Sequence, residues 1–183
     1  LALMYGMGVT KLSQQLDISL DEAKTLTQQY HEKVPFVKQL TQGVQRYLDD
    51  PRSGGCIRSI RGRKCRFDLY EPDSFGMSKA MPYDQAVAAY GPTTKLKRAY
   101  TYKALNRLIQ ASAADMTKQA MVNVCKAGKI PLLQVHDELA FSVKDEAEAR
   151  ELAQIMEEAV PLSVPNKCDI ELGPTWGDAK ELK

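Results

Sequence analysis

Apolar positions recur first at helical intervals. Leu20, Ala23, Leu26 and Tyr30 keep the three-to-four-residue spacing of one helix face. Ser19-Leu20-Asp21-Glu22 ahead of them has the form of a capping box, in which serine and glutamate satisfy each other's orphan amides. Pro35 predicts a break or kink, followed by a further helix to about residue 48. Asp49-Asp50-Pro51-Arg52-Ser53-Gly54-Gly55 is a turn-rich stop. The period then shortens. Residues 56–70 predict a hairpin: Cys56-Ile57-Arg58-Ser59-Ile60, a tight Arg61-Gly62-Arg63 turn, and a return through Phe67 and Leu69. Residues 71–93, punctuated by Pro72, Pro82 and Pro92, predict an irregular surface excursion with one short helix over 83–90. Leu105, Leu108, Ile109, Ser112, Ala113, Met116 and Ala120 predict one long helix over 94–126 with that stripe buried, ended by Gly128. Residues 130–135 and 139–143 predict two short strands of a buried hairpin. Asp145 is placed to cap an amphipathic helix to about 160, residues 168–172 predict a last strand, and Trp176 is expected to pin the carboxy terminus. There are no internal repeats or low-complexity tracts. The sum is an α+β chain, an antiparallel sheet backed by long helices.

Composition narrows this little. At 183 residues, 44% hydrophobic and 26% charged, the chain suits one sizeable domain or two unequal lobes. No apolar run is long enough to cross a bilayer, and no signal-peptide pattern is present. The opening Leu1-Ala2-Leu3-Met4 reads as the middle of something longer. Cys56, Cys65, Cys125 and Cys168 lack zinc-site spacing; Cys56 and Cys65 flank the hairpin and could be neighbours across it. Without a secretion signal, free thiols in a reducing, cytoplasmic setting are expected.

Net charge is only +2, so bulk charge does not announce a polyanion. Its distribution is more informative. Arg58, Arg61, Arg63, Lys64 and Arg66 stand together with no acid among them, and Lys95, Lys97, Arg98, Lys103 and Arg107 form a second group at the start of the predicted long helix. The balancing acids gather late, at Asp145, Glu146, Glu148, Glu151, Glu157 and Glu158. Such segregation offers a polyanion one basic wall, although either group by itself is equally a solvated face.

The chemistry concentrates in Leu132-Leu133-Gln134-Val135-His136-Asp137-Glu138-Leu139. A polar triplet between apolar strands must sit where they turn, and a rigid turn can hold a carboxylate at a fixed place for a divalent metal. Alone, an Asp-Glu pair in a turn is most often only solvated, and a His beside it only hydrogen-bonded. The whole phrase closely resembles motif C of DNA polymerases of the DNA polymerase I type (family A). The resemblance implies that Asp137 is one of two aspartates binding two catalytic magnesium ions, with Glu138 its acidic neighbour and His136 near the primer end.

Two further stretches resemble the same family, in its phage-like version. Ala104-Leu105-Asn106-Arg107-Leu108-Ile109-Gln110-Ala111-Ser112-Ala113-Ala114-Asp115 looks like its long palm helix. Asn106 and Gln110 share one face of such a helix. Every Watson–Crick pair offers minor-groove acceptors at the same places, so amide donors there test pair geometry without reading sequence. Met4-Tyr5-Gly6-Met7-Gly8, with Lys11-Leu12-Ser13 after it, resembles the tail of motif B, the fingers helix that closes on the incoming nucleotide. Tyr5 and Gly6 match that motif's Tyr and Gly. Its upstream aromatic falls on Leu1, a departure found in some viral members that predicts altered handling of sugar-modified nucleotides. Residues 55–68 look like the family's basic hairpin, implying DNA contacts from Arg61, Arg63 and Lys64; Arg107 is expected on DNA as well. Asp115 is expected to be structural.

The resemblance thus implies a partial right-hand polymerase fold, an antiparallel palm sheet with long helices plus part of the fingers helices. Residues 1–92 are expected to be the remainder of the fingers with the basic hairpin and excursion, and 93–183 the carboxy-terminal palm. The partners it implies are primer-template DNA, a dNTP and an upstream portion carrying motif A, whose aspartate this sequence lacks; by itself the chain is expected not to polymerise. A split-polymerase subunit that only binds DNA is the alternative. A single-subunit RNA polymerase relative is disfavoured by Glu138 and by the Asn106–Gln110 helix. An unrelated α+β domain would need three ordered matches by chance.

Overall fold

The computed structural model describes residue 3 and residues 7–74 and 78–182. It divides into two compact units, Leu1–Ala111 and Ser112–Lys183.

The first unit opens with helices α1 (Val9–Leu16), α2 (Leu20–Lys33) and α3 (Pro35–Asp49). The capping box forms as written: the Glu22 amide donates to Ser19 Oγ at 3.2 Å, and the Ser19 amide donates to the Glu22 carboxylate at 2.9 Å. The Ser19 hydroxyl also donates to that carboxylate at 2.7 Å, and this bond first, then the amide's, holds the Glu22 carboxyl below its ordinary range. Ser19→Ala is expected to cost about 1 kcal/mol in a urea melt; an unchanged midpoint would show that α2 does not depend on its cap. Pro35 starts α3 at its first turn, where a missing amide hydrogen costs nothing.

Next come β1 (Cys56–Arg58) and β2 (Lys64–Arg66), an antiparallel pair in which Ile57 faces Cys65. Cys56 faces Arg66 and so stands diagonal to Cys65; all four cysteines are free thiols. Ile57 and Phe67 point into a core with Leu48 and Ala104, flanked by Val44, Cys65 and Leu108. The excursion is more ordered than its prolines suggest. Strands β3 (Leu69–Pro72), β4 (Met81–Pro82) and β5 (Leu96–Arg98) form a three-stranded antiparallel sheet with β3 central, and α4 (Tyr83–Tyr90) is the short helix expected there. The Tyr90 hydroxyl exchanges hydrogen bonds with the Lys79 backbone at 2.9 Å.

The long helix is shorter than its pattern implied. α5 spans Ala104–Lys126, whereas 94–103 hold β5 and a 3-10 turn at Thr101–Lys103. Lys95, Lys97 and Arg98 therefore do not open a helix. Lys97 and Arg98 lie on a strand, where cross-strand pairing with Glu71 and Tyr70 outweighs helix propensity, and Lys95 and Lys97 bridge Asp73. Of the predicted stripe, Leu105 and Ala120 are buried but Ala113 is exposed. Asp115 is the polar residue that α5 buries, at 3% exposure.

In the second unit α5 ends as Gly128 predicts. With Gly128 at φ 85, its amide donates to Cys125 and the Lys129 amide to Val124, the paired bonds of a Schellman motif. β6 (Leu133–Val135) and β7 (Glu138–Ala140) form the expected hairpin, but it is not buried. Leu132 is 71% exposed, and Leu133 and Val135 are exposed as well. Neither strand holds a buried residue, so the apolar side chains that alternation gathers on one face stay open to solvent.

Helix α6 (Glu146–Glu157) is capped by the Asp145 carboxylate, which accepts from the Glu148 amide at 2.9 Å. It stops short of 160. The strand expected over 168–172 contracts to β8 (Glu171–Leu172) and is not the last, since it pairs with β9 (Lys180–Glu181). Trp176 pins nothing: it sits in a 3-10 turn and is 61% exposed. The fold is α+β with every strand pair antiparallel, but among the described residues the strands divide over four small sheets. No described helix is long and apolar enough to cross a membrane.

Two carboxylates brace this unit. Glu157 accepts from the Cys168 amide at 2.9 Å and from Lys167 at 3.2 Å, and these bonds hold its carboxyl low. Glu148 is held low first by the Lys129 ammonium and then by the Lys144 amide. A carboxyl lowered by folding contributes stability above its unfolded pKa and loses it as pH falls through the folded one. Acid unfolding below about pH 5 is therefore expected to be less steep in Glu157→Gln; an identical acid limb, followed by circular dichroism, would remove Glu157 from the account. Burial pushes the Cys168 thiol up, with Glu157 and Asp169 adding to it, so it is not a reactive thiolate at neutral pH.

Candidate functional site

Two residues, His136 and Asp137, connect β6 to β7. Val135 faces Glu138, Gln134 faces Leu139, and Leu133 faces Ala140. So short a link needs a positive φ, and His136 supplies it at 53°. Histidine enters this left-handed region more readily than most residues, though it remains uncommon there. Gln134 secures the turn, its side-chain amide donating to the His136 carbonyl at 2.5 Å. The Leu132 amide extends the ladder to the Ala140 carbonyl at 2.8 Å. Asp137 is thereby fixed at an exposed tip, with His136 and Glu138 exposed on either side.

Asp137 and Glu138 offer hard oxygen ligands of the kind magnesium takes. Among the described residues no three or more His, Cys, Asp or Glu side chains, those of this turn included, are so placed that they could hold a metal ion together. The turn therefore fits part of a divalent-metal ligand set and does not form a closed cage.

The other predicted residues fall in the first unit. Asn106, half-buried, and Gln110, exposed, share one face of α5. Between them Arg107 lies with its guanidinium 4.8 Å from the centre of the Phe67 ring, donating to the Arg66 carbonyl at 3.4 Å. In the β1–β2 hairpin Arg58 stands directly opposite Lys64. Alternation puts Arg66 on that same exposed face, while Ile57 turns inward. Like charges directly across a pair are unfavourable, and an anionic partner relieves them. Arg61 and Arg63 are exposed in the turn beyond, where Gly62 has φ 82 and its amide donates to the Ser59 carbonyl at 2.8 Å. Leu1, Tyr5 and Gly6 lie outside the described residues.

Residues 1–178 match the family model "DNA polymerase family A". The chain belongs to DNA polymerase family A. A DNA-directed DNA polymerase of Pseudomonas phage M6 is 39% identical over 156 residues, covering 85% of this chain and 20% of that protein. The thermostable DNA polymerase I of Thermus aquaticus is 31% identical over 185 residues, covering 97% and 20%. Among solved structures, the POL domain of Pol1 from M. smegmatis, in complex with DNA primer-template and dNTP, matches with a TM-score of 0.64 at 34% identity. That match covers 90% of this chain and 27% of the other. The chain thus spans about a fifth of the length of these curated family A relatives, and its architecture is that of part of a family A polymerase fold.

Two residues of this family A chain acquire roles that the sequence reading missed. Gln134 fastens the turn, and its place two residues before the polar triplet was the available signal. Arg98, counted only among the cations, donates to the Phe67 carbonyl at 2.8 Å and lies over the Tyr70 ring. Nothing local announces that.

Proposed function

We propose that this chain supplies part of the active site of a DNA-directed DNA polymerase, which adds dNTPs to a primer 3′-hydroxyl on a DNA template. Its phage and bacterial relatives support this, as does the primer-template and dNTP bound by its structural neighbour. The observation that carries the reading is Asp137, held at the tip of a two-residue turn by strand register and by Gln134. Asp137 is the metal ligand, Glu138 its acidic neighbour, and His136 stands near the primer end. Asp137 would hold magnesium in part, two ions in the complete site, and bound ions would supply charge stabilisation to the attacking and leaving oxygens.

The protein's own contribution is placement. A carboxylate on a tight turn needs little reorganisation when the substrate arrives. Asn106 and Gln110 present amide donors suited to minor-groove acceptors shared by all base pairs. The cations Arg58, Arg61, Arg63, Lys64 and Arg66 suit phosphates, and Arg107 lies beside them. Tyr5, Gly6 and Leu1 meet the incoming nucleotide on the strength of the motif match alone. Residues 1–92 act as the remainder of the fingers and 93–183 as the carboxy-terminal palm, in a cytoplasmic enzyme.

The second aspartate comes from motif A on a further segment. Primer extension with magnesium tests this, comparing the 183-residue chain, the chain joined to an upstream portion carrying motif A, and the joined form with Asp137→Ala. Extension by the intact joined form alone is expected. Extension by the 183-residue chain unaided would refute its incompleteness.

A further inference from the structure

The excursion and the strand β5 that returns from it carry none of the proposed DNA or nucleotide contacts, yet β5 ends against the hairpin's base. There the Phe67 amide donates to the Gly55 carbonyl at 2.9 Å, closing the two strands. Arg98 sits on this junction. Its guanidinium donates to the Phe67 carbonyl at 2.8 Å and lies so close to Gly55 that a β-carbon there would overlap it. Gly55 also has φ 67, a conformation that suits glycine.

Arg98 is itself held from behind. Pairing with Tyr70 fixes its strand, and the Tyr70 ring lies 5.0 Å from its guanidinium carbon. Tyr83 of α4 packs edge-on against Tyr70 with ring centres 5.0 Å apart. Lys95 and Lys97 bridge Asp73 and tie β5 further to the end of β3. Contacts therefore run without a gap from α4 through Tyr83, Tyr70 and Arg98 to Phe67 and Gly55 at the hairpin's base.

We propose that the excursion is a brace for the basic hairpin and that Arg98 is the positioning residue through which it acts. The consequence for DNA rests on the reading that the hairpin cations grip phosphates. A planar, forked cation suits this seat because it can lay its face on a ring while an N–H at its edge donates to a carbonyl, a geometry that a compact ammonium does not reproduce.

The test uses the joined polymerase and two readouts: hydrogen exchange over residues 56–67, and duplex-DNA affinity as a function of salt. Arg98→Met is expected to speed exchange across 56–67 several-fold and to weaken DNA binding on the order of tenfold, flattening log K against log salt by about 0.9 for each phosphate that is no longer neutralised. The hairpin variant Arg58→Gln/Lys64→Gln/Arg66→Gln is expected to lose at least as much affinity. Adding Arg98→Met to it should cost nothing further, because residues that act through one another are not additive. Additive losses mean that Arg98 meets DNA itself, and unchanged exchange means that there is no brace; either overturns the proposal. Arg98→Lys keeps the charge and gives the same comparison should Arg98→Met fail to fold. Partial loss in both readouts is expected of it, and wild-type behaviour would show that charge alone matters. Undiminished affinity in the hairpin variant refutes the phosphate-gripping reading, while the exchange result still decides the brace.

Discussion

Asp137→Ala in the joined polymerase is expected to reduce primer extension by roughly a thousandfold or more, with duplex-DNA affinity little changed. A metal ligand acts on charge that develops in the transition state, where stabilisation amounts to several kcal/mol, and about 1.4 kcal/mol is tenfold in rate. The side chain lies at an exposed tip and the turn is closed by the Gln134 side chain and the ladder, so its removal should leave the hairpin intact. Asp137→Asn should fail nearly as badly, since it keeps the shape but not the charge. Single-turnover extension read beside DNA binding separates the cases. Loss of both together would mean that the turn is structural, and normal extension would end the metal assignment.

Leu48→Ala is expected to destabilise the first unit by about 3 kcal/mol, within the range of about 2–5 for emptying a buried leucine site. Leu48 is 1% exposed and packs with Ile57, Phe67 and Ala104, which come from the hairpin and from the first turn of α5. Two separate elements, the hairpin and α5, close on this side chain, so the site cannot collapse by moving one of them. Domains are stable by only about 5–15 kcal/mol, so the urea midpoint should fall visibly, with its slope unchanged. A shift worth less than about 1 kcal/mol would mean that the core relaxes around the cavity.

What the sequence made legible was local chemistry. The Ser19–Glu22 box, the start of α3 at Pro35, the end of α5 at Gly128 and the cap at Asp145 each depend on residues within one turn. The hairpin turn at His136-Asp137 was legible for the same reason. Residues 94–103 were misread because Leu96, Lys97 and Arg98 become a strand only by pairing with β3, far back along the chain. The apolar alternation around 130–143 reported which residues share a face and could not report whether a layer covers it. Arg98 was hidden more deeply. Its seat is built by Gly55, Phe67 and Tyr70, none of them near it in sequence.

The register of β6 with β7 also bears on how this segment can vary between homologues. Side chains alternate strictly along a strand, so one residue added or lost between Leu133 and Ala140 would turn one strand's faces over and carry the carboxylate off the tip. Reading-frame-preserving insertions and deletions should therefore be purged from this octet while substitutions are tested one at a time.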